Sequence, residues 1–149
     1  MSDNWIKLVP VDPKLVPDSA RQKQAADYIR RTLNTSEIEI ESSHKVEFFD
    51  CGSNFESVHC PHCHSSIEMN WWGDRIGDDF NKGFQLLPYS LPCCGKRASL
   101  NELVYEWPQA FGRFVLSVMN PGIPKLQDED RRQLEEILGT QIRVVYQHL

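Results

Sequence analysis

Cys60-Pro61-His62-Cys63 and Pro92-Cys93-Cys94-Gly95 are the residues of this chain best suited to chemistry. Two cysteines separated by two residues turn both sulfurs toward one ion, and the amides that follow can donate to them. Pro61 helps to set such a turn. Four thiolates complete a tetrahedral zinc site and close it to further chemistry. The expectation is one structural Zn2+ held by Cys60, Cys63, Cys93 and Cys94. The second pair is adjacent, a departure from the usual ribbon that makes the geometry tighter. In an alternative set Cys94 ligates, Cys93 packs nearby, and His62, His64 or Cys51 fills the fourth place. Four cysteines in two tight clusters beside Pro and Gly are poorly explained as ordinary core thiols. Cys51, in Asp50-Cys51-Gly52, does read as a buried thiol. His59, His62 and His64 read as solvated neighbours of the sulfurs.

Cys-Pro-His-Cys also occurs as the redox pair of thioredoxin-fold oxidants, where a helix N-terminus lowers the first thiol's pKa. Here no amphipathic helix is legible behind the motif, no export signal precedes it, and a second cysteine pair would stay unexplained. Metal binding accounts for all four residues.

Between the two pairs lies Trp71-Trp72-Gly73-Asp74-Arg75-Ile76-Gly77-Asp78-Asp79-Phe80. Tryptophan is enriched at binding hot spots. Trp71, Trp72, Asp74, Asp78 and Asp79 are therefore expected to form a partner-binding surface, braced at both ends by the zinc. The competing expectation is a short packed helix or hairpin with a solvated acidic edge. The aspartate spacing fits no EF-hand loop. No Ser-His-Asp order, Gly-rich phosphate loop or H-E-x-x-H is legible, which favours a binding protein over an enzyme.

The elements that must position these residues repeat. Trp5–Val9 reads as a strand, and Ser19 with Gln22 as a capping box. Ala25, Ile29 and Leu33 make one apolar helical face that Asn34 ends. Glu37-Ile38-Glu39-Ile40-Glu41 alternates as a half-buried strand does, and Val46–Phe49 either continues it or pairs back on it. In the C-terminal part, Phe111–Met119 suits a central strand. Asp128 is placed to cap a helix with Leu134, Ile137 and Leu138 inward and Gly139 as its stop. Ile142–Tyr146 closes the series. Strand–helix–strand, a middle segment, then strand–helix–strand is the βαββαβ order of an α+β, ferredoxin-like core. The expected division is a split core of residues 1–49 and 109–149, with a zinc-ribbon-like insertion over 50–108. Ser99 and Glu102 form a further capping box within that insertion.

The 149 residues suit one such domain; 40% are hydrophobic and 25% charged, which is ordinary globular composition. The net charge of −5 is spread as −1, −2 and −2 over residues 1–43, 44–100 and 101–149. No third is cationic, so a nucleic-acid partner is not expected. No signal peptide or membrane span is legible. The expected compartment is the cytoplasm, where thiols stay reduced.

Asp50-Cys51-Gly52, Phe55-Glu56-Ser57-Val58, Cys60-Pro61-His62-Cys63, Pro92-Cys93-Cys94-Gly95, Ser99–Leu103 and Tyr105-Glu106-Trp107-Pro108 with Phe111 form a series over about the middle half of the chain. It resembles a family of uncharacterised bacterial zinc-knuckle proteins. The resemblance implies a small bacterial cytoplasmic protein with a cysteine-rich metal knuckle, and implies no activity. The function expected from the residues is a non-catalytic, zinc-stabilised protein-binding module, an adaptor or a toxin-neutralising protein with a basic partner. The alternatives are a zinc-dependent enzyme and a nucleic-acid-binding zinc ribbon.

Overall fold

The computed structural model describes residues 2–35 and 37–149. Strand β1 (Asn4–Pro10) leads through prolines to helix α1 (Ser19–Leu33) and then to β2 (Ile38–Phe49). After a middle segment, β7 (Ala110–Met119), α3 (Asp128–Leu138) and β8 (Ile142–His148) follow in the same strand–helix–strand order. The four strands form one antiparallel sheet in the order β2-β7-β1-β8. The fold is mixed α and β.

Alternation along the strands explains how this sheet is covered. Leu8, Phe114, Leu116 and Ile142 face one way and pack with Ala25, Ile29, Leu134 and Leu138 of the two helices. Their neighbours Val9, Val115 and Val145 face the other way, against Phe49 and Cys51. Successive strand side chains point to opposite faces, and β7 is buried on both. That is why its sequence is a largely apolar run, interrupted only by Arg113 and Ser117, rather than an alternating one.

Two local expectations are corrected, and one open choice is resolved. Asp18, not Ser19, is the N-cap of α1; its carboxylate accepts from Arg21 N at 2.9 Å, and Gln22 Nε2 donates to Pro17 O at 2.7 Å instead of closing a box. An aspartate caps as well as a serine does, so the helix starts with Ser19 already inside it. Asp128 is the first residue of α3, not its cap, and lies with Glu129 and Asp130 in the first turn. There their charges oppose the positive end of the helix dipole. Val46–Phe49 continues β2, with a register irregularity between Ser42 and Glu47 absorbing the polar stretch. The stops hold: Asn34 and Gly139 both take left-handed backbone after their helices.

The middle segment contains β3 (Ser57–His59), α2 (Met69–Asn81), β4 (Tyr89–Ser90), β5 (Arg97–Ala98), a 3-10 turn (Leu100–Glu102) and β6 (Val104–Glu106). β3 pairs with β6, and β4 with β5. The capping box of Ser99 and Glu102 is present. The inner cluster of this segment joins Val58, Ile67, Leu91, Leu100 and Tyr105 to Phe111 of β7. Phe48 of β2 stacks on Phe111 with ring centroids 4.8 Å apart.

The Asp50-Cys51-Gly52 motif fastens the start of the segment to β8. Asp50 accepts from Gly52 N at 3.1 Å and from Gln147 Nε2 at 3.2 Å. His148 N donates to Cys51 O at 3.2 Å, and Ser53 N donates to His148 O at 2.9 Å. Gly52 has φ +64°, and a Cβ there would collide with the His148 carbonyl. Only glycine meets both demands without strain.

Candidate metal centre

β3 delivers Cys60 into a tight turn. Cys60 N donates to Ser65 O at 2.9 Å and His64 N to Cys60 O at 3.0 Å, while His59 bridges Ser66. His64 takes φ 65° to close the turn. Within it the amides of His62 and Cys63 point at Cys60 Sγ, at 3.3 and 3.4 Å.

The same turn recurs after β4. Leu91 N donates to Lys96 O at 2.9 Å and Gly95 N to Leu91 O at 2.9 Å, and Ser90 pairs with Arg97. Gly95, with φ 73°, stands where His64 stands in the first turn. Residue for residue, Leu91 replaces Cys60, Pro92 matches Pro61, Cys93 replaces His62, and Cys94 matches Cys63. The adjacent pair is therefore carried by a turn of the same form, with leucine at its first position and cysteine at its third.

The two turns face each other. The sulfurs of Cys60, Cys63, Cys93 and Cys94 all lie within 4.8 Å of one another. Cys60 Sγ is 3.8 Å from Cys94 Sγ, and Cys63 Sγ is 3.4 Å from Cys93 Sγ. Four sulfurs at about 2.3 Å from one zinc are about 3.8 Å apart at the edges of a tetrahedron. The four cysteines thus have the donor set and spacing for one metal ion. Cys60 is buried and the other three are exposed.

The thiols differ electrostatically. Burial pushes the Cys60 thiol up, but the amides of Cys63 and His62 outweigh this and hold it below the ordinary thiol value. The hydroxyl and amide of Ser65 hold Cys63 down to about 6. Cys93, although the residue is exposed, is pushed up to about 12 by the desolvation of its sulfur and by the neighbouring sulfurs. Four packed sulfurs cannot all be anionic without a cation among them, and a divalent ion supplies it.

The alternative ligands lie elsewhere. Cys51 is fully buried, and its Sγ donates to Gln109 Oε1 at 3.5 Å. His62 Nε2 pairs with Arg97 O at 2.9 Å, and His64 is exposed and outside the group of four sulfurs. Among the described residues the four cysteines are the only group arranged to share a metal. The Cys-Pro-His-Cys turn sits in a hairpin, not at the N-terminus of α2, which begins at Met69.

The Trp71–Phe80 stretch is helical, as its competing expectation had it, and the five residues assigned to a partner surface separate on it. Asp74 and Asp78 are exposed, and Asp78 accepts from Arg75 Nε at 3.0 Å. Trp71 is half-buried, with the Arg75 guanidinium 5.6 Å from its ring. Trp72 faces inward: its Nε1 donates to the Tyr105 hydroxyl at 3.1 Å, and its ring packs edge-on to Phe55 and Phe48. Asp79 is only 1% exposed, so it is no surface contact. It lies on the inward phase of the helix near Tyr89, and one carboxylate oxygen has no partner.

Strand β2, which sequence reasoning did not bring to this stretch, completes the surface. Val46 and Phe48 of β2 and Gly73, Ile76, Gly77 and Phe80 of α2 line an open groove of about 770 Å3. Phe80 is 67% exposed. A Cβ built on Gly73 or Gly77 meets nothing within 4 Å. Their spacing on one helical face was the available signal. Among the described residues no helix is long and apolar enough to cross a membrane.

No family model, curated protein or solved structure matches the chain.

Proposed function

We propose that the chain is a non-catalytic protein-binding module, built as a ferredoxin-like core that carries a zinc-ribbon-like insertion and binds its partner along the groove between β2 and α2. The β2-β7-β1-β8 order, with a helix after β1 and after β7, supports the first part of this reading. The paired turns and their four sulfurs support the second.

The observation that carries the binding role is the pair of glycines in α2. Glycine inside a helix costs about 1 kcal/mol relative to alanine. Here the structure offers no steric return, since open space lies in front of both Cα atoms. A surface kept flat beside exposed Phe80 admits the close approach of another backbone. Asp74 and Asp78 on the same helix favour a basic partner and steer its encounter. An adaptor or a toxin-neutralising protein is the class this suits.

Two pairs of substitutions test the reading. Gly73→Ala with Gly77→Ala should raise the melting temperature and weaken capture of the partner from host lysate. Asp74→Lys with Asp78→Lys should leave the melting temperature nearly unchanged, because both are exposed, and should abolish capture. Unchanged affinity for the same partner in both double variants moves the binding surface elsewhere.

A further inference from the structure

We propose that Cys93 is the reactive ligand of the metal centre, a modification site for hydroperoxides and soft electrophiles, with Cys63 as the thiol that resolves its oxidised form. The proposal rests on the zinc reading above. In a loaded site all four ligands are thiolates, so their reactivity is separated by hydrogen bonding and access. A donor to a thiolate withdraws electron density and makes it a poorer nucleophile.

The two turns treat their sulfurs differently. Cys60 Sγ accepts two amides, at 3.3 and 3.4 Å, and is fully buried. Cys63 has the hydroxyl and amide of Ser65. Cys93 is exposed, and among the described residues its hydrogen-bonding neighbours are sulfurs alone. This follows from its place in the turn. It stands at the third position, where the first turn carries the exposed His62, and not at the first position, which the amides of the turn embrace. Cys94 is also exposed, but the sulfur it approaches is that of buried Cys60.

The chemistry with hydrogen peroxide then has an order. The Cys93 thiolate attacks one peroxide oxygen, the O–O bond breaks, and hydroxide leaves. The product is a sulfenic acid, whose oxygen keeps its own hydrogen, and the departing hydroxide takes one proton from solvent to become water. The Cys63 thiolate, 3.4 Å away, attacks that sulfur. The S–S bond forms, the S–O bond breaks, and the departing hydroxide takes a second proton to become water. The two sulfurs lose two electrons and the peroxide gains them. A disulfide needs its sulfurs at about 2.05 Å, so the tips of the two turns draw together. A zinc ion in the site would then be left with the sulfurs of Cys60 and Cys94 alone, too few ligands to hold it.

The test uses the zinc-loaded full chain. Hydrogen peroxide is added in limiting amounts, released zinc is read with a chromogenic chelator, and cysteines are mapped by mass spectrometry after alkylation. The expected first product is a Cys63–Cys93 link formed in step with zinc release, with Cys51 unmodified. Limiting iodoacetamide should label Cys93 first. Cys93→His keeps a ligand and should release zinc about tenfold more slowly. A purified chain without zinc refutes the zinc reading itself. A chain that holds zinc but links Cys60 to Cys94, or is alkylated first at another cysteine, overturns the assignment to Cys93 alone. Should Cys93→His fail to hold zinc, the wild-type map decides.

Discussion

Leu91 occupies in the second turn the place that Cys60 occupies in the first. Each amide donates 2.9 Å to the carbonyl five residues on, and each side chain is almost wholly buried, at 2% and 0% exposure. The turn is thus a backbone form that tolerates either residue, and the missing sulfur is made up from Cys93.

That relationship predicts a transplant. Leu91→Cys combined with Cys93→Ser restores a C-x2-C pair in the second turn. The double variant should hold zinc within about tenfold of the parent affinity in a chelator competition. Loss of zinc would mean that the second turn aims its first side chain away from the ion.

Removing the metal should act locally. Binding to such a site is coupled to folding of the residues around it. The chelator-treated chain should first lose hydrogen-exchange protection over 57–106, while β1, β7 and β8 keep theirs through their own apolar cluster. Cys63→Ser should give the same pattern. Uniform loss across the sheet would show that the metal holds the whole molecule.

Gly52→Ala should destabilise the protein by roughly 1–3 kcal/mol, the usual range for a side chain forced into left-handed backbone. Collision with the His148 carbonyl adds to the effect. A denaturant midpoint equal to that of the parent would mean that the seam with β8 yields freely.

Asp79 makes a prediction about pH. Burial raises its pKa above the usual 3.8, with the Tyr89 hydroxyl and a backbone amide opposing. A carboxyl whose folded pKa is raised favours the folded state while protonated, and this advantage is lost as pH rises from the unfolded value through the folded one. Asp79→Asn, which cannot ionise, should therefore gain stability relative to the parent as pH increases across that window, and show the smallest difference below it. A difference that falls with pH instead would mean that the anion is stabilised by its neighbours.

Cys51 should be the slow thiol. Burial pushes it up to about 11, and the chain leaves it no exposed surface. In metal-free protein at neutral pH, where the segment over 57–106 has loosened, Cys60, Cys63, Cys93 and Cys94 should all react with a disulfide reagent well before Cys51, which should react only on unfolding. Five fast thiols would place Cys51 at the surface.

Much of the framework was legible because it rests on periodicity. Ile29 and Leu134 sit on apolar helical faces, and the run from Phe111 announces a strand buried on both sides. The cysteines were legible because four sulfurs in two clusters have few other uses. What escaped notice depends on phase and partners. Helix α2 has no side-chain cap at Glu68 and carries two glycines, so its start and its inward face were not readable. Without the phase, buried Asp79 looks like exposed Asp78. The likeness of the two turns was hidden by Leu91, which breaks the cysteine spacing and keeps the backbone.

The position of β1 between β7 and β8 has a consequence for synthesis. Of the two neighbours of the first strand, β7 is translated about a hundred residues after it and β8 about a hundred and thirty, an interval of roughly 5–25 seconds at ordinary elongation rates. During that interval Ile6, Leu8 and Val9 have no sheet to enter. The two turns and their four sulfurs emerge before β7, so an ion can be captured while the sheet is still open. The nascent chain then carries a finished knot of structure ahead of an unfinished sheet, and β1 is the segment for which a ribosome-bound chaperone would have reason to wait.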